Sequence, residues 1–131
     1  DALKGKIVID TSNPIVARDG DMAVSAREKG AGIASQEFLP GARIVRAFNA
    51  IGFSRMAEAH KVAPADRIGM PIAGNDKDAI TVASALIRDV GYEPVLVGTL
   101  EAMGKYLIPG TPLAGERSPE EVRKAAATLK Q

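Results

Sequence analysis

Lys6-Ile7-Val8-Ile9-Asp10-Thr11-Ser12-Asn13-Pro14 is an apolar run that stops abruptly at small polar residues. Its three β-branched residues leave no polar face, as in a strand covered on both sides within an α/β sheet. Asn13-Pro14 closes the element, because the proline ring disfavours helix at the residue before it. The pattern recurs. Arg43-Ile44-Val45-Arg46-Ala47-Phe48 runs apolar and breaks at Asn49, and a third candidate strand spans Ile68 to Ala73. Pro71 cannot donate to a ladder, which predicts that this strand lies at an edge, near a bulge, or near its own end. Glu93 to Val97 is the fourth candidate.

Helical segments separate these strands. Val24 to Phe38 reads as one weakly encoded helix, diluted by Gly30 and Gly32 and closed by Pro40-Gly41. A short helix is expected from about Phe53 to His60. The clearest helix is capped by Asn75 or Asp76, carries a stripe of Ala79, Val82, Ala83, Leu86, Ile87 and Val90, and stops at Gly91. Ser118-Pro119-Glu120-Glu121 is a capping box with proline at the first helical position, opening a helix to about Lys130 that can dock on a core or on a partner chain. The alternation predicts an α/β fold with a mainly parallel sheet and flanking helices. The opening Asp1 to Gly5 reads as a helix tail entering an internal αβ junction.

Composition narrows the chemistry. The chain has 131 residues, enough for one compact domain, with 46% hydrophobic and 25% charged residues. Lys plus Arg (17) nearly cancel Asp plus Glu (16), so no field of one sign draws in nucleic acid or anionic lipid. No apolar stretch reaches membrane-spanning length. With no Cys and one His, the chain offers no thiolate and no ordinary Cys/His zinc site.

Several motifs fail on context. Gly30-Ala31-Gly32-Ile33-Ala34-Ser35 approaches the dinucleotide fingerprint, but no strand precedes it and Ser35 stands where Gly or Ala belongs. Gly98 to Lys105 has the wrong spacing for a P-loop, and Tyr106 replaces the Ser or Thr that would hold a metal ion. His60 reads as an exposed residue at a helix end, and Asp76, Asp78, Glu120 and Glu121 as helix-terminal charges. Two features survive: the corners at Asn13 and Asn49, each at the end of a strand, where ligands of open parallel sheets bind. Two readings stay open there, an amide that meets a carboxamide or ring carbonyl and an amide that only bonds to local backbone.

Taken in order, Gly5 to Pro14, Leu39 to Asn49 and Met70 to Asp76 resemble the deazaflavin-dependent NADP oxidoreductases, often labelled predicted dinucleotide-binding proteins. They are also similar to the reductase domain of six-transmembrane metalloreductases. The resemblance covers about residues 3 to 108. It implies a partial Rossmann-like fold whose N-terminal βαβ half, with the Gly-rich turn for pyrophosphate, is absent. Residues 1–108 would then be the C-terminal part of an NADP-binding oxidoreductase domain and 109–131 an extension with a capped helix.

The resemblance implies hydride transfer between the nicotinamide of NADP and a deazaflavin or flavin. It sets Asn13 and Pro14 beside the nicotinamide end and makes Asn49, Ala50, Ile51 and Gly52 the wall between the two rings. No residue is assigned as catalytic and none as a metal ligand. Phe48 and Phe53 are expected to pack beneath the wall, and Leu100 to Leu107 to help form the acceptor pocket. The chain alone is expected to be inactive for want of the Gly-rich turn. Expected partners are the missing half or another chain, a small redox acceptor, and a second copy, because an open edge at strand 7–10 favours self-association. A cytoplasmic location is expected, with neither nucleic acid nor membrane as partner. The alternatives are a non-enzymatic dimerisation or interaction domain and a different small-molecule module using the same crevice.

Overall fold

A computed structural model describes residues 2–130. β1 (Ile7–Asp10) lies parallel to β2 (Arg43–Arg46), with Ile7 opposite Arg43 and Asp10 opposite Arg46. β3 (Gly69–Gly74) and β4 (Glu93–Gly98) form a second parallel pair. The two pairs meet at a short antiparallel seam, Val45 opposite Gly74 and Arg46 opposite Ala73, giving the order β1-β2-β3-β4. The sheet is therefore mostly parallel, as expected, with one reversal. The reversal follows from the connection. Between β2 and β3 the chain forms only 3-10 turns at Phe53–Lys61 and Pro64–Asp66, not the α-helical crossover that usually returns a chain to a parallel strand.

Pro71 sits within β3, which is an inner strand by order. It is tolerated because β2 reaches only Ala73 and Gly74, and because the register with β4 slips between Ile72 and Ala73. Side chains alternate across the sheet. Ile44, Ala73, Val95 and Val97 enter one core layer with Leu113 and Val122, whereas Val45, Met70 and Ile72 enter the other with Ala83, Ile87 and Tyr92.

After a short α1 (Val16–Asp19), the single helix expected from Val24 to Phe38 is instead two: α2 (Asp21–Lys29) and α3 (Ala31–Phe38). Gly30, at φ 96°, breaks the last two apart. Phe38 is 61% exposed, and small residues carry the packing: Ala23 and Ala26 of α2, Ala31 and Ala34 of α3. Gly32 explains why. A Cβ there would lie 2.1 Å from the Leu100 carbonyl oxygen, so α3 meets α5 (Leu100–Met103) backbone against backbone.

α4 (Lys77–Val90) starts at Asp76, whose carboxylate accepts the Ala79 N–H at 2.8 Å and two hydrogen bonds from Arg43 at 2.6 and 3.0 Å. Its buried stripe is narrower than expected: Ala79, Ala83 and Ile87 are sealed, while Val82 and Leu86 are about half exposed. Gly91 ends it in the left-handed region at φ 115°, and a Cβ there would fall 2.2 Å from the Ala59 carbonyl carbon. α6 (Pro119–Leu129) carries the expected Ser118–Glu121 capping box and buries Val122 and Ala126 against the chain's own β3 and β4. Among the described residues, no helix is long and apolar enough to cross a membrane.

Gly91→Ala meets both the left-handed backbone and the Ala59 backbone, so it should cost about 3 kcal/mol of stability, read from denaturant midpoints. The Asp76 carboxyl is held down to about 2 by the Arg43 hydrogen bonds first and the Ala79 N–H second. A depressed carboxylate stabilises the fold fully above its unfolded value, and that contribution is lost as the pH falls through the folded one. Between pH 4 and 2, Asp76→Asn should therefore flatten the acid limb of the stability profile, with loss of stability at pH 7.

Candidate functional site

β1 and β2 point toward the amino end of β3, which runs the other way, and the segments that follow them, from Thr11 and from Ala47 onward, approach that rim. At the base of those segments, level with Ala73 of β3, Asp10 and Arg46 lie opposite each other in register and form a buried ion pair at 2.7 Å. Arg46 is 1% exposed and the largest side chain that is fully buried. Its Nη1 faces Asp10 Oδ2 and Ser35 Oγ, and its Nη2 donates to the carbonyls of Ser12 at 3.0 Å and Leu107 at 2.8 Å. The Ser35 hydroxyl donates to Asp10 as well. Burial pushes the Asp10 carboxyl up, but hydrogen bonds from Ser12 and Ser35 and the Arg46 charge outweigh it and hold the group below its usual value. Burial is also the larger influence on Arg46, lowering its pKa against the pull of Asp10.

This pair fixes the corner after β1. Asn49, buried just beyond β2, donates from Nδ2 to the carbonyls of Asp10 at 3.1 Å and Ser12 at 2.9 Å. Two carbonyls on one nitrogen fix which end of the amide is which. The Ser12 carbonyl thus takes donors from both Arg46 and Asn49. Between them, Phe48 is held at φ 65°, a sparsely populated region for a bulky residue, and its ring meets Tyr92 edge-on at 6.3 Å.

A cleft of about 780 Å³ opens beside this corner. Asn13, Asn49, Ala50, Ile51 and Gly52 all line it, so the two strand-end corners face one space. Pro14 does not. It lines a separate hollow of about 300 Å³ with Arg18, Met22 and Phe38, and its carbonyl accepts from Arg27 Nε at 2.9 Å. The amide oxygens of Asn13 and Asn49 are buried without a hydrogen-bond partner among the described residues. Phe53 is 85% exposed at the cleft rather than packed beneath it, because its 3-10 turn buries only Ala59. The far wall is Pro109, Gly110, Ala114 and Gly115, and none of residues 100–107 lines it, since Leu100, Met103 and Leu107 are core residues. No cleft residue is acidic, basic or a thiol. Among the described residues no His/Cys/Asp/Glu cluster suited to a metal ion occurs.

No protein-family model matches the chain. No curated protein matches it either. Among solved structures it is similar to a hypothetical protein, SMa0349, of Sinorhizobium meliloti, at 30% identity and a TM-score of 0.58, over 88% of this chain and 56% of that one. It is also similar to a chain of Arthrobacter sp. FB24 whose name proposes an F420-dependent NADP-reductase, at 22% identity and a TM-score of 0.60, over 79% of this chain and 47% of that one. The likeness is one of fold. The chain spans about half the length of these two structures. Neither is described as a metalloreductase.

The sequence pattern pointed to Asn13 and Asn49 but passed over Arg46 and Asp10. A signal was present. Both strands end in a charge at the same offset, Ile7-Val8-Ile9-Asp10 and Arg43-Ile44-Val45-Arg46, and parallel pairing puts those charges side by side. Removing one member of such a pair leaves a buried charge, so Arg46→Met should cost about 3–5 kcal/mol in urea unfolding. Arg46→Met combined with Asp10→Leu should recover much of that loss.

Proposed function

We propose that this chain is the ring-binding part of an NADP-dependent oxidoreductase that transfers hydride between nicotinamide and a deazaflavin or flavin. One observation carries the reading: two buried amide oxygens, each without a donor, belong to residues that line one cleft large enough for flat rings. An unsatisfied buried acceptor costs about 1–3 kcal/mol. The Asn49 Nδ2 is already committed to backbone carbonyls, so the oxygen alone is left for a ligand. It calls for an N–H, which a nicotinamide carboxamide and a flavin-type pyrimidine ring both supply.

The nicotinamide and the flavin-type ring supply the redox chemistry when bound. The chain's share is to orient and to exclude water. Asn13 and Asn49 accept hydrogen bonds that set each ring's rotation, and Phe48, Ile51 and Met56 offer apolar contact. Hydride transfer depends on proximity and alignment more than on an acid or base. That agrees with a cleft whose lining holds no strong acid or base. The name of the Arthrobacter neighbour supports the same class. The described residues include no Gly-rich turn from strand to helix, so the pyrophosphate of NADP would be held by other polypeptide, either upstream sequence or another chain. Association through the β1 edge is part of this reading.

Gly52 offers a clean test. A Cβ at Gly52 meets nothing within 4 Å, so Gly52→Leu should fill the cleft while changing stability by no more than about 0.5 kcal/mol. NADPH and, separately, FMN or a deazaflavin are titrated by calorimetry into the protein and into a version extended upstream. Binding of either ring compound, abolished by Gly52→Leu, is the expected result. No binding by either version, or binding untouched by Gly52→Leu, sinks the proposal.

A further inference from the structure

On the same rim, the Phe53–Lys61 turn, the approach to β3 and the start of α6 enclose two adjoining hollows. One, of about 280 Å³, is floored by Ala59, Val62, Ile68 and Tyr92. The other, of about 440 Å³, is lined by Arg55, Arg67 and Arg117, against Asp66 and Glu116. Arg55 and Ile68 belong to both.

Polar capacity is left over here. Tyr92 is 1% exposed, yet its hydroxyl has no partner among the described residues. Burial raises its pKa, Glu116 raises it further and Arg55 opposes, so at neutral pH it is a neutral O–H with a proton to donate. Arg67 spends Nη1 on the Arg88 carbonyl at 3.1 Å and keeps Nε buried without a partner. Arg55 pairs with Glu116 at 3.3 Å, whereas neither Arg67 nor Arg117 has an ion-pair partner among the described residues. The α6 terminus contributes little, because Ser118 and Glu121 already close each other's N–H groups. Guanidiniums and a phenol, not a helix end, are what an incoming group would meet.

We propose that these two hollows form a binding site for a small amphipathic anion, whose apolar body lies over Ala59, Val62 and Ile68. Its phosphate or carboxylate end is held by Arg67 and Arg117, with the Tyr92 hydroxyl as an added donor. Arg suits such an end because its planar fork matches the oxygens, and charge-assisted bonds of this kind are about twice as strong as neutral ones. The apolar floor gives selectivity for a ligand with a body over a bare ion. This site does not rest on the hydride-transfer reading, since none of Ala59, Val62, Ile68, Arg67 and Arg117 lines the ring cleft, although Tyr92 meets the cleft residue Phe48 edge-on.

The probes are phenyl phosphate, benzoate and inorganic phosphate, titrated against the ¹⁵N-labelled protein, with phenol as the neutral control. Phenyl phosphate or benzoate should give saturable shifts at the amides of residues 67–69 and 117, more tightly than inorganic phosphate, and phenol should not. Whichever aromatic acid binds better identifies the charged end. Arg117→Gln should weaken binding about tenfold, the loss of one charge-assisted contact. Tyr92→Phe should weaken it several-fold while leaving the ligand-free protein at least as stable, because an unsatisfied hydroxyl is removed. Shifts reproduced by sodium chloride at equal ionic strength, no saturable shift with any probe, or unchanged affinity in Arg117→Gln would overturn the proposal. None of these outcomes bears on Gly52 or the rings.

Discussion

The Asp10–Arg46 pair is the contact on which the functional rim depends. β1 and β2 are short, four residues each, and β1 is only partly buried. The pair ties their ends together, and Arg46 Nη2 reaches the Ser12 and Leu107 carbonyls, joining the corner after β1 and the Leu107 stretch to one side chain, while Nε has no partner among the described residues. A buried pair of this kind is weak evidence for stability as such, because desolvation offsets much of the attraction. Its value is geometric. It holds the Asp10–Ser12 corner against β2, and Asn49 completes the corner with two further hydrogen bonds.

Local signals in the sequence were legible where the cause was local. The Ser118–Glu121 box, the Asp76 cap and the Gly91 stop each act within a turn of the residue concerned, and each was found where the pattern put it. The apolar runs gave the four strands for the same reason. Gly30 showed a weakness in the helix but not that the chain would break into separate helices there, since that depends on α3 packing against the distant Leu100 carbonyl.

The less legible parts are non-local. The reversal between β2 and β3 comes from a connection with no α-helix, and nothing in Phe53 to Asp66 announces 3-10 turns over an α-helix. Phe53 reads as a core residue because phenylalanine usually is one, but its turn packs Met56 and Ala59 inward instead. Asn13 lines both the cleft and the neighbouring hollow whereas Pro14 lines the hollow alone, and nothing local in Ser12-Asn13-Pro14 distinguishes the two spaces. Pro109, Gly110, Ala114 and Gly115 wall the cleft from an irregular segment, and such segments carry no periodicity to reveal what they face.

The single reversed strand also sorts the molecule's polar interactions by rim. The Arg43–Asp76 contact and the Asn75 bonds to Glu101 and Leu100 lie where β2 begins and β3 and β4 finish. The cleft and both hollows lie at the opposite border. Protonation of Asp76 therefore loosens the first border, whereas the carboxylate that holds the cleft corner is Asp10, also depressed and tied to Arg46, so each border answers to acid through its own carboxylate.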